Sequence, residues 1–185
     1  MNTLNEFEHY MIDLETLGLG PRAKILSIGI VNFNPLAMTE AQSYLRGIYL
    51  EPDITAQTYR TADESTVTWW KSQDENLIPR GTMDPGIACI KIEKFLHTHS
   101  KPPMLWAQGT DFDISKFESF YEEYLPGEFP WKYNSKRDLR TLISVCPHVE
   151  WPENHQKHNA LADAQCQARM VWRCMNFLNG RGIQL

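Results

Sequence analysis

The 185-residue sequence contains no apolar run near the ~20 residues that a membrane-spanning helix needs, so no transmembrane span is expected. Its opening, MNTLNEFEHYMIDLE, has no basic region followed by an apolar stretch and does not read as a secretory signal. The four cysteines (Cys89, Cys146, Cys166, Cys174) form neither a CxxC pair nor a Cys/His zinc spacing. They read as free thiols of a reducing cytoplasm. Repeats, low-complexity stretches and long linkers are also missing, so residues 1–185 read as one domain. A basic surplus is absent too: 18 Lys and Arg stand against 23 Asp and Glu, for a net charge of -5. That excludes a passive, phosphate-neutralising nucleic-acid binder, which works through excess positive charge. With 42% hydrophobic and 22% charged residues, the composition is that of a globular protein.

Within this frame the element signals are clear. Tyr10 to Leu14 is a short apolar run ended by the TLGLGP loop, where Gly18, Gly20 and Pro21 punctuate the chain. Ile25 to Phe33 is rich in β-branched residues, and Ser43 to Leu50 alternates before closing at Glu51-Pro52, which predicts an antiparallel meander. Helical spacing follows over Asp63 to Gln73. It continues after Asp84-Pro85 through Ala88, Ile92, Phe95 and Leu96. Met104 to Gly109 reads as a central strand. Ile114, Phe117, Tyr121 and Tyr124 mark another helix, stopped at Pro126-Gly127. Leu161, Ala164, Ala168, Val171, Met175 and Leu178 share the face of a last helix ended by Gly180. The order predicts an α/β fold of three layers, a mixed central sheet with an antiparallel N-terminal meander flanked by helices.

Carboxylates recur where this pattern is most regular. Asp13 and Glu15 alternate along the first strand, so they share one face with Cα atoms roughly 6.5 to 7 Å apart, while Ile12 and Leu14 share the other. Such a pair repels and resists burial unless a cation compensates, and oxygen ligands at this spacing suit Mg²⁺ or Mn²⁺. The pair also fits a solvated edge strand. Asp113, after Phe112, opens the helix beyond the central strand, where it or Asp111 also fits a helix cap. In HNALAD, Asn159 is suited to the N-cap of the last helix. This places His158 in the preceding loop and Asp163 in the first turns, a histidine beside carboxylates that suits a general base. A surface histidine, and an acid favoured by the helix dipole, would show the same pattern.

Taken together, MIDLETLG, GTDFDISKF and HNALADA resemble the three motifs of the DnaQ-like 3′–5′ exonuclease superfamily, in its DEDDh class. STVTWWKSQ, WAQG and PWKYNSKRDLRTL extend the resemblance to its branch of phage-encoded and related bacterial exonucleases, over residues 10 to 175. Gln108 departs from the asparagine expected there. The resemblance implies a ribonuclease-H-like fold and a metal-dependent 3′–5′ exonuclease that releases nucleoside 5′-monophosphates. It implies two divalent cations, Mg²⁺ or Mn²⁺, held by Asp13, Glu15, Asp113 and Asp163, with His158 as the base. Its partner is nucleic acid with a free 3′ end, DNA slightly favoured and single-stranded ends preferred. No membrane is involved, oligomeric state is left open with a homodimer among the states allowed, and the compartment is the cytoplasm, a phage host's included. Exoribonuclease or oligoribonuclease activity, and an idle nucleic-acid-binding adaptor, are the alternatives.

Thr16 and Leu17, directly after Glu15, are placed to grip the last nucleotide, Leu17 as a wedge. Phe112 and Trp69 offer stacking surfaces, whereas Trp70 shares a helical face with Val67 and reads as core. Lys132, Lys136, Arg137 and Arg140 form the one dense basic stretch, suited to a phosphate path or a solvated loop. His97 and His99 read as a polar helix end, and His148 and His155 as loop residues. Once four carboxylates are assigned to cations the balance of the chain is close to neutral, so the net charge argues only against tight binding without metal.

Overall fold

The computed structural model describes residues 6–75, 78–97 and 101–180; His99 lies outside them. Strands β1 (Glu8–Thr16), β2 (Ile25–Phe33) and β3 (Tyr44–Leu50) form the expected antiparallel meander. On the other side of β1, β4 (Pro103–Ala107) runs parallel to it and β5 (Lys136–Asp138) parallel to β4. The sheet order is β3-β2-β1-β4-β5, which leaves β1 at the centre.

All nine residues of β2 are buried, because helices cover both faces of the sheet and alternation has no solvent side to report. Beneath one face, Tyr10, Ile12 and Leu14 pack with α3 (Pro85–Leu96) and α4 (Asp113–Tyr124). Beneath the other, Met11 packs with α5 (Leu139–Ser144) and α6 (Ala160–Leu178). The three-layer ribonuclease-H-like arrangement read from the sequence is the one observed. Two short elements complete it, α1 (Glu40–Ser43) and α2 (Glu64–Lys71). Among the described residues no helix is long and apolar enough to cross a membrane.

β5 and α5 were not expected. Lys136-Arg137-Asp138 has no apolar alternation, and its strand geometry comes from register with Leu105 to Ala107 on β4. Asp138 then caps α5, accepting from Thr141 N at 2.8 Å. The central strand ends two residues earlier than its sequence pattern indicated, at Ala107. All four cysteines are free and buried.

One close approach positions the site. Gly29 pairs with Asp13 across the β1–β2 ladder, and a Cβ at Gly29 would lie 2.1 Å from Ala160 O. Only a glycine lets the first turn of α6 rest on the sheet beside Asp13.

Candidate active site

β1 holds Asp13 and Glu15 on the α6 side of the sheet, opposite the buried Ile12 and Leu14. On α6, Asn159 is the N-cap, its side chain accepting from Ala162 N at 3.0 Å, and Asp163 lies in the first turn. Oxygens of Asp13, Glu15 and Asp163 all lie within 4.8 Å of one another, among the described residues the one such group of three or more possible ligand side chains. Asp113, the first residue of α4, reaches β1 from the far side and accepts from Leu14 N at 3.3 Å. Asp111 is exposed and takes no part.

The four acids disfavour one another's charge. Burial pushes Glu15 up to about 8, with Asp163 and Asp113 adding to the shift. Asp13 rises well above the usual carboxylate range through burial and then the charges of Asp113, Glu15 and Asp163. Burial lifts Asp113 to about 7, against the opposing pull of Leu14 N–H, Lys116 and Arg140. Asp163 is raised by burial and restrained by His158 and Asn154. An all-oxygen donor set that repels itself this way fits hard divalent cations such as Mg²⁺ or Mn²⁺.

His158 precedes α6 with φ of 64°, a left-handed backbone that non-glycine residues seldom adopt, here at a cluster of reactive groups. Its ring meets the Trp69 ring edge-on at 5.1 Å and the Trp70 ring at 6.3 Å. Trp70 is core, as its helical face indicated, and its indole N–H donates to Thr16 O at 3.0 Å. Trp69 is 41% exposed beside His158.

The other expected contacts divide. Leu17 is half-buried and lines an apolar cavity of about 550 Å³ with Ile54, Val67 and Trp70. Thr16 is buried and its hydroxyl donates to Gly18 O at 2.9 Å, within the loop it opens. Phe112 is half-buried and has the Lys116 ammonium 3.1 Å from its ring centroid. Arg140 is exposed beside Gly109, 3.0 Å from where a Cβ there would stand, and its charge acts on Asp113. Within the basic stretch, Lys136 is paired with Glu118 at 2.7 Å, and Arg137 donates to the carbonyls of Asn134 and Lys136. Gln108 lines a second cavity together with His158 and Asp163. His97 caps α3, and His155 pairs with Glu153 at 3.3 Å.

Several supporting residues escaped the sequence reading. Gln167 is 5% exposed and its amide donates to Asp13 Oδ1 at 2.7 Å. It lies one turn after Asp163 on α6, a spacing that carries the signal. Asn154 donates to Asp163 Oδ1 at 2.6 Å from a loop with no periodicity to announce it. Asp63 accepts from Leu19 N at 2.8 Å and so fixes the loop after Glu15.

Residues 8–175 match the 3′-5′ exoribonuclease Rv2179c-like domain family. The chain belongs to that family. It is also similar to the exodeoxyribonuclease of Enterobacteria phage T4, 29% identical over an alignment of 163 positions, with 74% of this chain and 70% of that protein covered. Among solved structures it resembles the zinc-bound E. coli ExoI–ssDNA complex with a TM-score of 0.67 at 13% identity, covering 95% of this chain and 42% of that one. The exonuclease I of Methylocaldum szegediense superposes with a TM-score of 0.63 at 15% identity, over 94% of this chain and 43% of that one. This chain thus spans less than half the length of these solved exonucleases, and at such identity they share its fold. The family places this member within the DnaQ-like 3′–5′ exonucleases, as its three motifs indicated.

Proposed function

We propose that this Rv2179c-like domain removes nucleotides one at a time from the 3′ end of a nucleic acid, releasing nucleoside 5′-monophosphates. The observation that carries the reading is the group Asp13, Glu15 and Asp163, with oxygens within 4.8 Å of one another, next to Asp113 and His158. Asp13, Glu15 and Asp163 would hold one divalent cation, and Asp13 with Asp113 a second. When bound, Mg²⁺ or Mn²⁺ supplies Lewis acidity and the positive charge that draws in the scissile phosphate.

The chain's own residues do the rest. His158, steadied by Trp69 and Trp70, takes the proton of the attacking water as oxygen bonds to phosphorus and the bond to the 3′ oxygen breaks. Gln167 and Asn154 hold one oxygen each of Asp13 and Asp163, which leaves the other oxygen of each for a cation. Leu17 and Phe112 flank the last nucleotide, with Trp69 as an added stacking surface and Arg140 on the phosphate side.

DNA is the favoured substrate, single-stranded at its 3′ end. The phage T4 relative is named an exodeoxyribonuclease and the ExoI structure holds single-stranded DNA, and both lend support. The family's description as exoribonucleases supports the RNA reading as second. An idle adaptor is disfavoured because every position of the acid and histidine set is filled.

The test is release of label from matched 3′-labelled DNA and RNA strands with Mg²⁺ or Mn²⁺, single-stranded and with 3′ overhangs. Wild type releases mononucleotides, Asp13→Ala abolishes release, and His158→Ala lowers the rate by about 10²- to 10⁴-fold. Label that stays in place with wild type on every strand overturns the enzyme reading. In that case, unchanged strand binding by fluorescence anisotropy in Asp13→Ala identifies an adaptor.

A further inference from the structure

We infer that the mixed cavity beside the carboxylates is the subsite for the nucleotide on the 5′ side of the scissile phosphate, with Trp151 as its stacking surface. This rests on the exonuclease reading. The cavity, about 450 Å³, is lined by Gln108, Trp151, Asn154 and Lys157 and shares His158 and Asp163 with the reactive cluster. Its volume is that of a small-ligand site.

Its position assigns the occupant. The apolar cavity holding Leu17 and Trp70 shares no lining residue with it and adjoins the segment directly after Glu15. A strand whose terminal nucleotide lies against Leu17 and whose scissile phosphate lies at the carboxylates must continue away from Leu17. The cavity beside the carboxylates, built partly from the cluster itself, is where the next nucleotide arrives.

Its chemistry agrees. Trp151 is 43% exposed, yet its loop is pinned to α6 at three points. Arg173 donates to Glu150 O at 3.0 Å, the Cys166 thiol to Pro152 O at 3.3 Å, and Asn154 to Asp163 at 2.6 Å. An indole left open to solvent on a fixed loop at a reactive site offers a preorganised face for a base, and such stacking tolerates any base. The exposed Lys157 stands at the same cavity, where a backbone phosphate would be neutralised.

The experiment measures single-turnover release of the terminal nucleotide from two 3′-labelled strands, one intact and one abasic at the penultimate position. Trp151→Ala slows release from the intact strand roughly 5- to 100-fold, the worth of one base–aromatic stack. On the abasic strand it matches wild type, which itself is slowed by the missing base, and Trp151→Phe retains most of the rate on the intact strand. Equal slowing of both strands by Trp151→Ala, or of neither, overturns the subsite. If Trp151→Ala proves unfolded by circular dichroism, wild type on the two strands decides: equal rates overturn the proposal. Failure of wild type to release label from the intact strand would instead overturn the exonuclease reading.

Discussion

The two faces of β1 do opposite work from adjacent residues. Tyr10, Ile12 and Leu14 are buried in an apolar cluster with α3 and α4, and removing them from water favours the fold. Met11 begins the other face in the same manner, but Asp13 and Glu15 then place two carboxylates under α6, where Asp163 adds its own and Asp113 acts on them from the start of α4. The first face is closed by apolar packing within the chain. The second face gathers carboxylates whose charge is disfavoured by burial and by one another, a cost that a bound cation would relieve. Stability and function are thus separated by the two-residue period of a strand.

Substitution at neighbouring positions breaks this comparison most directly. Ile12→Ala is expected to lower unfolding free energy by about 2–5 kcal/mol, as large-to-small changes in a packed core do. Asp13→Asn, one residue away, is expected to raise the melting temperature of the metal-free protein, because it deletes the most opposed charge. Denaturant unfolding in a chelator measures both, and a loss of stability in Asp13→Asn would refute that cost.

A smaller effect is expected beside the cluster. Gln167→Leu keeps the size and burial of the side chain but removes the donor to Asp13. Mn²⁺ affinity should fall about 10- to 100-fold, the range for lost outer ligand supports. Titration followed by calorimetry checks it, and unchanged affinity would make Gln167 a packing residue only.

The mildest test uses pH. The raised pKa values of Glu15, about 8, and Asp113, about 7, mean that the native state holds protons the unfolded chain has already released. Their contribution to metal-free stability is present at low pH and is lost as pH rises through about 7 to 8. Cations compete with those protons, so the rise in melting temperature on adding Mg²⁺ should be larger near pH 8 than near pH 6. A rise independent of pH would count against these carboxylates as its source.

Much of this was legible in sequence where the signal is local. Alternation alone put Asp13 and Glu15 on one face, and the capping preference of Asn159 placed His158 and Asp163 about the start of α6. What escaped was decided across the fold. β5 is a strand only because β4 supplies its register, and Lys136 was offered to phosphate until Glu118 proved to hold it. The bond from the Thr16 hydroxyl back to Gly18 O is a turn preference that residue type leaves open. Trp151 and Asn154 sit in an aperiodic loop, and only the bonds to α6 give that loop a place.

The contact of Gly29 with Ala160 works as a mechanical stop. Side chains in a core can exchange rotamers and let a helix drift, whereas two backbones in touch have nothing left to compress. The depth of α6 against β1, and with it the spacing of Asp163 from Asp13, is set by that stop. Distant repacking of the core would therefore loosen the protein without changing the distance between two acids from opposite ends of the sequence.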